Sequence, residues 1–577
     1  MILYRIDVAD ASAHRFQVTL TLPAPAAEQV LSLPVWIPGS YMVREFGRHL
    51  SRLSASQGKH ERPLQQVDKT TWRVACQGSA ALTLRYEAYA FDPSVRTAFL
   101  DDSRGFFNAT SLCLRVHGRE EEAHQVQIGA LPKGWAVGTA MAPLAGQKQR
   151  YESADYHELV DHPFELGRFW RGEFEAGGVP HEFIVAGAWP GFDGERLLAD
   201  TQRICAAQIA FWHGKRKPPF GRYVFMLNAV EDGYGGLEHR ASTALIANRR
   251  DLPRLGVKAA SEGYLTLLGL VSHEYFHTWN VKRLKPAEFM RYDYTRENYS
   301  QLLWFFEGFT SYYDDMMLLR AGLIDAPRYL KLISRTVNGV AATPGRRVQS
   351  VAEASFDAWV KYYRADENTP NATVSYYTKG SLVALLLDLR LRAAGKGTLD
   401  DLMRTLWKDA PGGALTEALV FDRVAAQGGQ ALSDELAGWV HGRDELPLGV
   451  ALNAAAVQID FEPVGFGAAL GLKLSEGPVT GVQVKAVLAG GPAAAAGISA
   501  GDELLAVDGW RFRRLDEANQ WVVAGQAFEL LLVRQQRIRT LRVTPQADGE
   551  LGRQVNLAPM AQPAAGPKAV RLAWLGQ

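Results

Sequence analysis

The chain has 577 residues, 47% of them hydrophobic and 22% charged, with a net charge of +1 at pH 7. That length exceeds what one hydrophobic core supports and predicts about three or four domains. The near-neutral balance excludes an electrostatic nucleic-acid or membrane-surface binder, and no apolar run reaches the roughly 20 residues that span a bilayer. Cys76, Cys113 and Cys205 are widely spaced and form no Cys-x-x-Cys pair, which argues against a disulfide framework. The first eight residues read as a strand rather than a leader. These features together predict a soluble, cytoplasmic protein.

Residues 1–165 alternate polar and apolar positions in short runs such as Arg15-Phe-Gln-Val-Thr-Leu-Thr-Leu and Leu82-Thr-Leu-Arg-Tyr-Glu-Ala-Tyr. Turn residues separate the runs, and an antiparallel β domain is expected. Residues 166–240 mix strands with one helix. From about 258 to 450 the helical period dominates, with Leu302 to Leu319 and Ser381 to Ala393 as its longest stretches. The prolines at 286, 344 and 370 mark loops. Short strands return near residue 456, and the final segment from 549 reads as a poorly ordered tail ending in an apolar docking segment at 570–575. The expected layout is a multidomain α+β protein. It has a β domain over 1–165, a catalytic domain over 166–340, a helical part completing the site over 341–455, a small β domain over 456–548 and the tail over 549–577.

The segment Leu268-Gly-Leu-Val-Ser-His-Glu-Tyr-Phe-His-Thr-Trp carries the chemistry. On a helix, His273 and His277 share one face, so both imidazoles reach one metal ion, with Glu274 beside it to handle protons. A catalytic zinc takes three protein ligands and keeps a fourth position for water. Glu307, in the apolar stretch Leu303-Trp-Phe-Phe-Glu-Gly, is the best third ligand, since a carboxylate in such surroundings needs a metal or a cation. A helix cap, or pairing with Arg296 or Lys282, is the competing role. Asp314 or Asp315 is a candidate hydrogen-bond partner for a ligand histidine, and a solvated acidic pair is equally consistent.

His-Glu-x-x-His followed by Trp-x-x-Glu-Gly resembles the gluzincin peptidases. Tyr234-Gly235-Gly236-Leu237-Glu238-His239 resembles the exopeptidase segment of aminopeptidase N, an edge strand whose glutamate binds the substrate ammonium. The resemblance assigns that role to Glu238, with Gly235 and Gly236 lining the substrate; a turn residue paired with Arg240 is the alternative. Tyr377-Thr-Lys379-Gly380 resembles the Tyr-x-Lys-Gly of the same group and implies Tyr377 as the oxyanion donor. Trp36-Ile-Pro-Gly-Ser-Tyr, Asp161-His-Pro-Phe-Glu-Leu-Gly and Tyr294-Thr-Arg-Glu-Asn-Tyr extend the likeness to the glycyl aminopeptidase family. Members of that family have an N-terminal β domain, a thermolysin-like mainly α catalytic domain and a C-terminal PDZ domain.

The resemblance implies an aminopeptidase with one zinc ion per chain, acting on peptides with a free N-terminus and preferring Gly and Ala. Leu470-Gly471-Leu472 resembles a PDZ carboxylate-binding loop, with a C-terminal peptide as its ligand. Asn108 or Asp101 is a candidate for a side chain lent by the β domain to the amine site, against a plain turn. The competing functions are a thermolysin-like endopeptidase and a PDZ-type peptide-binding protein with a degenerate peptidase domain. The intact set His273, Glu274, His277, Glu307 and Tyr377 argues against the last.

Overall fold

The structure is a computed structural model describing residues 1–477, 479–523, 525–545 and 553–576. It falls into two compact units, Met1–Asn298 and Tyr299–Gln577. The division lies inside the stretch 166–340 that the sequence pattern assigns to one catalytic domain.

In the first unit, an eight-stranded sheet carries the N-terminal core. Its centre is β1 (Ile2–Asp10), which pairs antiparallel with β2 (Arg15–Leu22). Strand β2 pairs in turn with β3 (Leu82–Tyr89). Along β2 every second side chain, Phe16, Val18, Leu20 and Leu22, is fully buried. Burial of each such side chain contributes about 1.5–3 kcal/mol. One pairing departs from the expected antiparallel pattern: β1 runs parallel to β4 (His124–Ile128). Alternation marks a strand but carries no information on the direction of its neighbour. Behind this sheet, the hydroxyls of Tyr4, Tyr156 and Tyr86 donate to the carbonyls of Leu114, Cys113 and Leu112. All three cysteines are free and buried.

A five-stranded mixed sheet follows. It contains β5 (Phe169–Ala176), β6 (Val179–Ala186), β7 (Tyr223–Val230), β8 (Gly235–Glu238) and β9 (Ser242–Asn248), in the order β5-β6-β7-β9-β8. Strands β6, β7 and β9 are parallel, and β8 closes the edge antiparallel to β9. The central strands are almost continuously buried, as expected of strands covered on both faces. Helix α1 (Gly194–His213) is capped by Asp193, whose carboxylate accepts from the Arg196 N–H. It holds α2 (Glu262–Phe276) through Gln208, whose amide donates to the carbonyl and hydroxyl of Ser272.

The second unit opens with α3 (Leu303–Arg320) and α4 (Thr378–Ala393), which cross at two glycines. A Cβ on Gly308 would lie 2.6 Å from the Cα of Gly380. No other residue type allows backbones so close, so the crossing explains both glycines. Further along, β10 (Val457–Pro463) precedes a PDZ-like sheet whose edge strand is β11 (Leu472–Gly477).

The C-terminal segment differs from the expected poorly ordered tail. Strand β12 (Arg553–Pro559) pairs antiparallel with β10, and α5 (Ala565–Leu575) follows. In α5, Trp574 and Leu575 are buried and the Trp574 indole donates to the Tyr312 hydroxyl. The apolar docking segment at 570–575 is therefore present, but on a helix anchored by a strand. Its Ala/Pro/Gly/Gln composition concealed both because the strand depends on a partner almost a hundred residues away in sequence. The expected boundary at 548/549 lies outside the described residues.

Candidate metal and peptidase site

Helix α2 starts at Ser261, whose hydroxyl accepts from the Tyr264 N–H, and runs through apolar residues to its last turn. Its back is fixed by an aromatic cluster. The Tyr275 hydroxyl bonds Nε2 of His181, and the Tyr275 ring packs on Tyr223, Phe225 and Trp279. Burial pulls His181 down to about 4, so it stays neutral. With that face locked, His273, Glu274 and His277 occupy the opposite side of the final turn, where His277 is the C-cap.

The His277 ring is oriented by its own backbone. Nδ1 lies 2.8 Å from the carbonyl oxygen of Asn280, which can only accept, so Nδ1 carries the proton and Nε2 presents a lone pair. The partner of the His277 Nδ1 is thus a carbonyl three residues on, rather than Asp314 or Asp315. The Nε2 atoms of His277 and His273 lie 3.1 Å apart. Two ring nitrogens converging at that distance, one with its tautomer already set for ligation, fit a shared zinc ion.

Strand β8 brings the exopeptidase segment to this turn. A Cβ on Gly236 would lie 2.2 Å from Oε1 of Glu274, so only glycine lets the strand pass beside the glutamate. One carboxylate oxygen each from Glu238 and Glu274, with a ring nitrogen of His277, all lie within 4.8 Å of one another. Both glutamates are buried, at 4% and 5% exposure. Buried carboxylates this close favour a cation among them. Gly235 (φ +151°) precedes them on the same strand.

The N-terminal β region also reaches this strand, through residues the sequence reading did not assign. A Cβ on Gly39 (φ +94°) would lie 2.5 Å from both carboxylate oxygens of Glu238. The Arg96 guanidinium donates to the Gly236 carbonyl at 3.1 Å. Gly39 belongs to the quoted Trp-Ile-Pro-Gly-Ser segment, and its motif was the available signal; Arg96 carried none. The sequence candidates Asn108 and Asp101 do not serve here. Asn108 is fully buried and its amide donates to the carbonyls of Val95 and Thr97. Asp101 accepts from the backbone of Ser103 and Arg104, closing a turn.

In the second unit, Glu307 lies on the first turns of α3, buried at 2% exposure and beside Gly308 at the helix crossing. Tyr377 is the N-cap of α4, three residues before Gly380. The crossing thereby brings Glu307 and Tyr377 together: burial, then the Glu307 charge, raises the Tyr377 phenol well above its usual value. The hydroxyl lies 3.2 Å from that of Tyr363, and the ring stacks between Tyr362 and Tyr376. A phenol so shifted remains a hydrogen-bond donor throughout the physiological pH range.

In the PDZ-like region, Gly471 is left-handed (φ 74°) and its N–H donates to the Ala468 carbonyl, closing the short helix Phe466–Leu470. Leu472 is buried and begins β11, which pairs on one side with Gly481–Val487.

A buried glutamate beside paired histidines, with a carboxylate on an adjacent edge strand, is the arrangement of a metallopeptidase site. Family profiles agree. Residues 3–168 match the Peptidase M61 N-terminal domain, 266–383 the M61 glycyl aminopeptidase and 458–523 the PDZ domain. A solved aminopeptidase N family protein from Idiomarina loihiensis is 35% identical over the whole of both chains, with a TM-score of 0.94. More distant likenesses are an M1 zinc metallopeptidase from Deinococcus radiodurans and Legionella pneumophila aminopeptidase A. The first is 15% identical over 78% of this chain and 94% of that one, with a TM-score of 0.48. The second is 12% identical over 99% and 60%, with a TM-score of 0.48. Comparison with curated proteins gives no match. The chain belongs to the M61 glycyl aminopeptidase family of zinc metallopeptidases. No described helix is long and apolar enough to cross a membrane.

Proposed function

We propose that the protein removes small residues, Gly and Ala, from the N-terminus of peptides, with one zinc ion per chain held by His273, His277 and Glu307. The observation that carries the exopeptidase reading is the clustering of the Glu238 and Glu274 carboxylates with His277 within 4.8 Å. In that arrangement Glu238 receives the substrate's α-ammonium, and a buried carboxylate selects a chain end over an internal peptide bond. Gly235 and Gly236 keep the strand beside it free of side chains. Zinc, when bound, lowers the pKa of water toward about 7 and polarises the scissile carbonyl.

Glu274 takes a proton from the attacking water as its oxygen bonds to the carbonyl carbon. It returns that proton to the leaving nitrogen as the C–N bond breaks. Tyr377, a donor at neutral pH, is assigned to the oxyanion. The preference for small residues rests on the family likeness.

The test assays Gly-, Ala- and Leu-anilides and N-blocked peptides, with and without chelator, beside Glu274→Gln. Chelator-insensitive cleavage, or full activity of Glu274→Gln, overturns the mechanism. Equal cleavage of blocked peptides overturns the aminopeptidase reading in favour of an endopeptidase.

A second reading concerns β11, which has one strand neighbour among the described residues and so offers an edge for strand addition by a peptide's C-terminal segment. Carboxylate capture at Leu470, Gly471 and Leu472 must then use amides other than that of Gly471.

A further inference from the structure

A cavity of about 320 Å³ lies in the first unit beside the proposed amine anchor. Three sequence segments meet there. Ile37 and Pro38 come from the Trp-Ile-Pro-Gly loop, Asp161 from the Asp-His-Pro segment, and Tyr292 and Tyr294 from the segment near Tyr294. His239, Lys282 and Lys285 complete the functional part of the wall.

The charges are arranged unequally. Asp161 is fully used. Its Oδ1 lies 2.6 Å from Lys282 Nζ and 3.4 Å from His239 Nδ1, and its Oδ2 accepts from the Arg240 N–H at 2.8 Å. Lys285 is different. It is 92% buried, at 8% exposure, and among the described residues its ammonium makes no ion pair or hydrogen bond. It sits over the Tyr292 ring, 5.1 Å from the centroid. His239 is 1% exposed; its Nδ1 faces Asp161 and burial pulls its pKa down, so the neutral ring keeps its proton on Nδ1 and serves the Asp161 wall. Burial, then the charges of Arg240 and Lys282, pulls Lys285 down to about 7, the behaviour of a cation without a counter-ion. The buried Lys285 ammonium thus lines a space far larger than the roughly 30 Å³ of one water. The exposed Glu121 and the half-buried Asp155 also line the cavity, as do the exposed Arg240 and Arg291.

We propose that this cavity binds a small oxyanion, a carboxylate or phosphate group, held by the Lys285 ammonium. The Lys282–Asp161 pair forms a fixed wall behind it. The ligand supplies the negative charge and the acceptor oxygens that the surrounding protein does not. The same chemistry is offered by a free small acid and by the side chain of an acidic N-terminal residue. The site stands independently of the hydrolytic mechanism, because its primary readout is binding.

The experiment titrates the full-length, zinc-loaded protein calorimetrically with malonate and with inorganic phosphate at fixed ionic strength. It compares wild type, Lys285→Met, Lys285→Gln and, as a distant control, Lys215→Met. Saturable binding by wild type, weakened at least tenfold in Lys285→Met and in Lys285→Gln but unchanged in Lys215→Met, is expected. Failure of wild type to bind either anion, or equal binding by the folded Lys285→Met or Lys285→Gln protein, overturns the proposal. A parallel comparison of Asp-anilide with Ala-anilide hydrolysis separates the sources. A tenfold drop in that ratio in Lys285→Met assigns the oxyanion to the substrate side chain. An unchanged ratio with lost malonate binding assigns it to a free ligand. Both outcomes support the site.

Discussion

The last turn of α2 and the PDZ-like loop Leu470-Gly471-Leu472 are both short segments at a helix end, and they are built in opposite ways. At the first, polar side chains are buried and every neighbour is shaped around them: Gly236 yields to Glu274, Gly39 to Glu238, and the Asn280 carbonyl sets the His277 ring. At the second, the glycine amide closes its own helix, and the adjoining strand β11 leaves an open edge. Burying charge is costly unless something compensates, so the first region is constrained by its chemistry and the second by its fold alone.

The sharpest way to break that contrast is Glu274→Gln, which is expected to lower kcat by about 10³-fold with the fold retained. Steady-state assay and circular dichroism check both halves, and near-normal turnover would remove the distinction. Next, Asp161→Asn leaves Lys282 buried without its carboxylate and is expected to cost about 3–5 kcal/mol, read by denaturant unfolding. The pair also fixes a pH window. Asp161 is held well below 3.8, so its contribution is present above that value and is lost as pH falls below it. Lys282 is raised above 10.5, so its contribution is full below 10.5 and is lost at higher pH, through its folded value.

Third, Glu238→Ala is expected to reduce kcat/KM for free-amine anilides about 10²-fold, the loss of one partner of a desolvated charge pair. Cleavage of N-blocked peptides stays at its wild-type level, which separates amine recognition from general damage. Fourth, Gly308→Ala drives a methyl into Gly380 and is expected to destabilise by about 1–3 kcal/mol, visible as a lowered Tm. Last and smallest, Lys473→Glu on the exposed face of β11 is expected to leave kcat/KM within about twofold and stability within about 0.5 kcal/mol. A large loss there would tie the PDZ-like strand to catalysis.

Much of this was legible before the structure. The histidine spacing placed two imidazoles on one helical face, the apolar surroundings of Glu307 marked a buried carboxylate, and motif order gave the family. What escaped is of one physical kind. Arg96 and Gly39 reach β8 from about 140 and 200 residues upstream, and the Asn280 carbonyl acts through a side-chain-independent group. The parallel β1–β4 pairing and the β10–β12 ladder join segments more than 90 residues apart. Periodicity and local spacing report what a segment prefers; they do not report which distant backbone will meet it.

The Gly308–Gly380 crossing has one more consequence. Because main chain meets main chain there, no rotatable bond lies between the two helices at the point that spaces Glu307 from Tyr377. Side-chain rotamer hopping, which warming increases everywhere else, has nothing to act on at that point. The separation of the carboxylate and the phenol should therefore behave as a rigid gauge, holding its setting with temperature until the helices themselves part.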